Sequence, residues 1–274
     1  MWTEAVDLHS HSHHSDGLFS PAEMAKRAFQ NGVKVWSLTD HDTIAGWDEA
    51  EVTCNKLGIR FVPGVEITCE VEIISEEKNP SSWHLLAYFP EECNPEFEKW
   101  LNNQKNARIP RMKAMIAALN EMGINVKFDE VNHHAEGSIG RPHLARVLVE
   151  KGIVTSVSEA FETLIGDECP AYRSRPLPSI SEAAKIVHSC GGITSLAHPK
   201  YYGISIQKLV NCLIENKIDC VEAFHSSHSE KYRYDLIKTG LPVTVGGDSH
   251  GTENRPSPGR ALVIIKHLHP QFHP

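Results

Sequence analysis

Histidines and acidic residues recur in this chain at or just past the ends of short apolar runs, and that recurrence limits the folds open to it. Ala5-Val6-Asp7-Leu8 leads into His9-Ser10-His11, with Asp16 soon after. Val33 to Thr39 runs into Asp40-His41-Asp42, and Ile59 to Ile67 carries Glu66. Gly192 to Ala197 ends at His198, and Val243 to Gly247 ends at Asp248-Ser249-His250. His84 differs, standing near the start of the run Trp83 to Phe89. Side chains two apart on a strand share a face, so His9 and His11 can grip one ion. Groups so far apart in sequence form one site only if their strands lie side by side with these ends together, as in an α/β barrel.

The punctuation between the runs agrees. Ser20-Pro21-Ala22-Glu23 opens a helix, with Ser20 as N-cap, Pro21 in the first turn and Glu23 completing a capping box; Asn31-Gly32 ends it. Thr43 to Leu57 reads as a helix closed by Gly58. From residue 94 to 176 helical patterns take over, at Ile109 to Met122, Leu144 to Lys151 and Ser158 to Ile165. Alternation then resumes through a capping box at Ser179-Glu182, an amphipathic helix from Ser205 to Asn216, a strand from Asp219 to Phe224 and a last strand from Ala261 to Ile265. About seven β/α units broken by a helical insertion suggest a barrel. A doubly wound open sheet is the second choice, but no glycine-rich dinucleotide fingerprint follows the first strand.

Composition narrows the function. With 274 residues, 41% of them hydrophobic, the chain is long enough for one large globular domain plus an insertion. No apolar run approaches the ~20 residues that cross a bilayer, and the N-terminus lacks the pattern of a signal peptide. The net charge of −8 argues against duplex DNA as a partner. The 7 cysteines form no C-x-x-C pair, which reads as reduced thiols in a cytoplasmic protein. Imidazole and carboxylate at this density suit Zn, Mn or Fe better than Mg or Ca, and the lack of cysteine among them disfavours a closed structural zinc site.

His9-x-His11, Asp16-Gly17, Thr39-Asp40-His41-Asp42, Pro63-Gly64-Val65-Glu66, Ala197-His198-Pro199 and Gly247-Asp248-Ser249-His250 together resemble the PHP (polymerase and histidinol phosphatase) family. The resemblance implies a distorted (β/α)7 barrel, formed by 1–93 and 177–274, with a mainly helical insertion, 94–176, capping the active site. It implies two to three divalent transition metal ions. One would take His9, His11, Glu66 and Asp248, a second Asp16, His41 and His250, and a third Glu66 as a bridge with His84 and His198. The chemistry is then metal-assisted hydrolysis, with a metal-bound hydroxide as nucleophile and no need of a Ser or Cys nucleophile. Asp7, Asp40 and Asp42 are candidates to orient the imidazoles, with turn capping an equal alternative.

Within the insertion, Gly137-Ser138-Ile139-Gly140-Arg141-Pro142-His143 places a helix start beside Arg141, a candidate phosphate site formed by backbone amides and the guanidinium. Its Gly-Arg-Pro-His block is similar to a PHP branch that removes the 3′-phosphate from nucleoside 3′,5′-bisphosphates, some members degrading short RNA from the 5′ end. That similarity implies that Arg141 and His143 meet a second phosphate of a small phosphorylated nucleotide, a bisphosphate or AMP. Asp16 and His228 are the catalytic candidates, and His228, or less so His225, could contact substrate or donate a proton to the leaving oxygen. Arg108, Arg111, Arg173 and Arg175 are weaker candidates for that second phosphate, each reading more as a solvated face, and Arg146 reads as a surface residue. His13 and His14 read as loop residues, and His133, His134, His188, His267, His269 and His273 as surface or unassigned. The tail after Lys266 has no interpretable pattern. The rival readings are an amidohydrolase-type C–N hydrolase, a PHP phosphatase acting on another phosphate monoester, and a degenerate barrel that binds without turnover.

Overall fold

Each short apolar run at the N-terminal side finds a partner on either flank. The computed structural model describes residues 2–3, 5–73, 82–90, 95–135, 137–252, 257–261 and 263–274, so the expected boundary at 93/94 lies outside the described residues. After β1 (Trp2–Thr3), β2 (Val6–Asp7) pairs in parallel with β3 (Val35–Trp36), and β3 with β4 (Arg60–Phe61). The chain runs on past Pro63, which cannot donate to a ladder, into β5 (Gly64–Cys69). Gly64 is needed there, because a Cβ would stand 2.2 Å from Ser37 Oγ on the neighbouring strand.

β5 pairs antiparallel with β6 (Trp83–Tyr88), and β6 antiparallel with β7 (Ile193–Leu196). β7, β8 (Cys220–His225) and β9 (Val243–Gly246) are parallel. Two seams close the barrel. Leu8 N donates to Val245 O at 2.9 Å, with a bridge from Ser10 to Ser249, and His41 bridges Glu66. β10 (Val263–Ile264) leaves the barrel to form an antiparallel ribbon with β1. The expected α/β barrel is therefore present, with a correction to its regularity: β6 runs against both neighbours. The reversal carries His84, at the beginning of β6, to the end of the barrel where the other strands finish.

Helices cover the outside. α1 (Pro21–Gln30) is capped by Ser20, which accepts from Glu23 N at 3.2 Å, but the Glu23 carboxylate turns to Arg27, so the expected capping box is half made. α2 (Trp47–Leu57) starts later than Thr43, because Asp42 takes a left-handed φ of 51° and the chain turns before winding. Both pack on Met24, Ala28, Trp36, Leu38 and Ile59. α3 (Pro95–Asn106) lays Phe97 and Leu101 on the barrel core. α4 (Arg108–Glu121), α5 (Phe128–His133), α6 (Arg141–Glu150) and α7 (Val157–Ala160) gather around a separate core of Met112, Met115, Leu119, Leu144 and Leu148. α8 (Ile180–Ser189) begins with the complete Ser179–Glu182 box, and α9 (Ile206–Glu215) and α10 (Glu230–Ile237) complete the outer layer. The tail has a structural role: Leu268 bridges Val243, and Phe272 is fully buried with its ring 5.0 Å from that of Tyr88. No helix among the described residues is long and apolar enough to cross a membrane.

Candidate metal centre

The extended chain past β2 points alternate side chains to opposite sides. Ser10 turns outward to accept from Trp36 Nε1 at 3.1 Å, which leaves His9 and His11 facing the barrel axis. Glu66 on β5 stands at the centre of what they meet. Its Oε2 lies 3.2 Å from His9 Nε2, 3.1 Å from His11 Nε2 and 3.2 Å from His41 Nδ1. Its Oε1 lies 2.8 Å from His84 Nδ1 and 2.9 Å from His198 Nε2. Asp248 Oδ1 sits 3.5 Å from His9 and 3.3 Å from His11, while Asp16 reaches His250 at 3.3 Å and His41 at 3.9 Å. All nine residues expected at a metal site thus converge. Two of them carry strained backbone: His198 and Asp248 have left-handed φ of 29° and 53°, a conformation that costs about 1–3 kcal/mol and concentrates at functional sites.

The donor set fits divalent ions. His9 Nε2, His11 Nε2, His41 Nδ1 and His198 Nδ1 are buried without a hydrogen-bond partner. An unpaired buried donor or acceptor costs about 1–3 kcal/mol, and lone pairs from imidazoles with carboxylates beside them are what a transition metal uses. Burial opposes charge on His9 and His11, yet Glu222, Glu66 and Asp248 hold His9 well above the usual imidazole range, and Asp248 and Glu66 bring His11 to about 10. Burial pushes His41 down to about 3, with His11 and His84 adding to the effect. Glu66 and Asp16 are held well below the carboxylate range despite burial, by His41 and His9 in one case and His250 and His41 in the other. Ionised carboxylates therefore surround positions that cations complete.

Beside the cluster opens a cavity of about 290 Å³ lined by Asp16, His41 and His84 on the barrel side and by Arg108, Arg111, Arg141 and Arg175 on the cap side. Arg141 lines it as expected, paired with Asp167 at 2.7 Å. His143 is buried behind this wall, and its Nδ1 accepts from Gly140 N at 2.9 Å. The helix-start amides expected to bind phosphate are partly spent, since Gly140 N serves His143 and His143 N bonds Gly140 O. His228 does not line the cavity. Its Nδ1 pairs with the Ala223 carbonyl at 3.0 Å and its ring lies 5.3 Å behind that of His225, which reaches Asp248 at 3.4 Å.

Several expectations need correction. Arg108 and Arg175 are sheltered rather than solvated, and both bond Asp42 Oδ2, at 2.6 and 2.7 Å. Asp42 consequently holds arginines and the Thr68 amide, not an imidazole. Asp40 accepts from Ser12 and Ser15, shaping the loop after His11, and Asp7 clamps the amides of His9, Gly247 and Gly259. Arg146 bonds the Asp16 carbonyl, and His14 O accepts from Ser138 N, so cap and ligand loop are stitched together. His188 is paired with Asp219. The residue overlooked altogether is Glu222. It is fully buried, 2.9 Å from His9 Nδ1, and its presence inside the otherwise apolar run Cys220 to Phe224 was the available signal.

A barrel that gathers imidazoles and carboxylates at one mouth, beside a cavity walled by four arginines, has the make-up of a metal-dependent hydrolase. The chain belongs to the PHP family: the PHP domain model matches residues 7–151. A 5′-3′ exoribonuclease from Haemophilus influenzae is 35% identical over 255 residues, covering 90% of each chain. A 3′,5′-nucleoside bisphosphate phosphatase from Chromobacterium violaceum is 28% identical, covering 89% of this chain and 87% of that one. Among solved structures, an amidohydrolase from Chromobacterium violaceum with bound sulfate and no metal superposes with a TM-score of 0.84 at 26% identity, over 98% of this chain and 94% of that one. A candidate metal-dependent phosphoesterase from Bifidobacterium adolescentis follows at a TM-score of 0.79 and 29% identity, over 96% and 91%. The protein is a metal-dependent phosphoric ester hydrolase.

Proposed function

We propose that the substrate is a nucleoside 3′,5′-bisphosphate, from which the enzyme removes the 3′-phosphate, and that short RNA is processed from its 5′ end at the same site. The observation that carries this reading is the arginine wall facing the metal cluster. Arg108 and Arg175 share one carboxylate, and Arg111 has the Arg173 carbonyl and the Tyr172 ring beside it. Burial and the neighbouring Arg141 push Arg111 down to about 10. Cations crowded in this way favour an anion, and a substrate with two phosphates gives the wall one and the cluster the other. The names of the Haemophilus and Chromobacterium relatives support both halves of the reading.

The metals would be two to three ions of Mn, Zn or Fe, held by His9, His11, Glu66 and Asp248; by Asp16, His41 and His250; and by Glu66, His84 and His198. Bound there, they would supply Lewis acidity toward phosphoryl oxygens and lower the pKa of water. The chain supplies the rest. Glu66 neutralises and spaces the imidazoles, Asp16 faces the reacting phosphate, and Arg141 and Arg111 fix the second phosphate by charge-assisted bonds. The insertion, 94–176, caps the barrel of 1–93 and 177–274 and brings its arginines over this meeting point. The cysteines described are all unpaired, which supports a cytoplasmic protein.

The test is incubation of metal-loaded protein with a nucleoside 3′,5′-bisphosphate and with 5′-phosphorylated short RNA. Inorganic phosphate plus the 5′-monophosphate are expected from the first, and mononucleotides from the second. His9→Ala should abolish turnover, and Arg141→Ala should chiefly raise KM. Untouched bisphosphate alongside cleavage of an amide would overturn the assignment.

A further inference from the structure

We propose that Glu222 is a positioning residue, which sets the tautomer of His9 and holds the backbone of His198 so that both present their ring nitrogens to the metals. The proposal rests on the reading of His9 and His198 as ligands. Glu222 is itself fully buried in the middle of β8. Its Oε1 is 2.9 Å from His9 Nδ1, and its Oε2 accepts from His198 N at 2.8 Å. Both oxygens are engaged by the two histidines, at His9 on the ring nitrogen opposite the one that faces Glu66, so Glu222 acts through them.

The chemistry of the contact decides the tautomer. A carboxylate only accepts, so His9 Nδ1 must carry a proton. Nε2, the atom that faces Glu66 and Asp248 at 3.2 and 3.5 Å, is then the nitrogen that gives up its proton to a metal. At His198 the same carboxylate secures the amide of a residue in left-handed conformation, φ 29°. One side chain on β8 thereby organises residues that follow β2 and β7.

Two features of the backbone exist to make this contact. The pairing of β8 with β9 slips between Glu222 and Phe224, a bulge that inserts one extra residue. In a regular strand Glu222 and His225, three apart, would face opposite sides; across the bulge both reach the cluster. On β9, Gly246 is bare where a Cβ would stand 2.2 Å from His9 Cβ and 2.7 Å from Glu222 Oε1. Any side chain at that position would wedge the pair apart.

The test compares metal-stripped wild type with Glu222→Gln. The amide has one acceptor: if it takes the His198 amide, its NH₂ faces His9 and forces the proton to Nε2. Titration with Mn²⁺ by calorimetry should show the tightest site weakened roughly 10- to 100-fold, as for other residues that orient ligands. The same substitution in a His9→Ala background should cost much less, because its main target is gone. Histidine ¹⁵N NMR of the Zn²⁺-loaded proteins should show His9 protonated at Nδ1 and ligated through Nε2 in wild type, with that pattern lost in Glu222→Gln. Glu222→Asp, which retains an acceptor-only group, should keep the wild-type tautomer and so tests the idea even if the glutamine variant folds poorly. Affinity within threefold of wild type, an equal loss without His9, or loss of the His9 Nδ1 proton in Zn²⁺-loaded Glu222→Asp would each overturn the proposal. Failure of wild type itself to bind Mn²⁺, Zn²⁺ or Fe²⁺ would instead overturn the metal-centre reading beneath it.

Discussion

Replacing Asp42 by Asn tests how the cap is fastened to the barrel. Arg108 opens α4 and Arg175 lies on the returning chain, so the two roots of the helical cap meet on one carboxylate. The side chains are 0%, 10% and 3% exposed for Asp42, Arg108 and Arg175. Asn preserves the shape and one acceptor, but removes the charge that both guanidinium groups share. Breaking a buried ion pair by loss of one partner costs about 3–5 kcal/mol. Because the arginines share a single acceptor the two losses overlap, and that range applies to the substitution as a whole. At about 2–4 °C per kcal/mol for a chain of this size, the melting midpoint should fall by roughly 6–20 °C. Circular dichroism of metal-stripped protein measures it. Burial alone would raise the Asp42 pKa, but Arg108 and Arg175 hold it well below the usual carboxylate range. A depressed folded pKa gives stability that is complete above the unfolded value of about 3.9 and is lost as pH falls below it. The gap between wild type and Asp42→Asn should therefore narrow below a pH of about 4. A midpoint at pH 7 within about 2 °C of wild type, or the same loss with Arg108 and Arg175 already replaced by Met, would refute the reasoning.

Three further outcomes are expected. Arg111→Met should raise KM for a bisphosphate by roughly 10- to 150-fold, the equivalent of a charged hydrogen bond worth about 1.5–3 kcal/mol, with kcat little changed; steady-state kinetics would contradict this by showing a kcat effect alone. Phe272→Ala should cost about 3–5 kcal/mol of unfolding free energy while leaving metal content intact, and urea denaturation with parallel elemental analysis reads both. In the metal-free protein His11 is raised to about 10, so it binds a proton at neutral pH that a metal must displace. Metal affinity should accordingly rise with pH up to that value, and calorimetric heats at pH 7 should vary with the ionisation enthalpy of the buffer; buffer-independent heats would exclude proton release.

The cluster was legible because its members stand at strand ends, where position alone implies convergence. His9, His41, His198 and Asp248 needed no knowledge of packing. The helix limits at Ser20, Gly58 and Ser179 were legible for a similar reason, since capping is local chemistry. What could not be read is whatever depends on direction or on distant partners. The apolar run Trp83 to Phe89 says that a strand forms but not which way it runs, so the placement of His84 looked anomalous until β6 proved reversed. Arg108 and Arg175 look like surface residues because the carboxylate that buries them, Asp42, is remote in sequence. Glu222 was hidden by its apolar neighbours, and Phe272 by a tail with no periodicity of its own.

Tyr88 and Ile193 are register partners on β6 and β7, although the chain from 89 to 192 intervenes. Neighbouring antiparallel strands can be joined by a turn of about two residues, so ring closure does not require that excursion. α3 and α8 pack on the barrel core, whereas the helices between them, α4 to α7, gather around a core of their own. Inserts of another length or charge could be exchanged there without disturbing His9, Glu66 or Asp248. The arginine wall and the imidazole cluster are in that sense separately variable parts of one polypeptide.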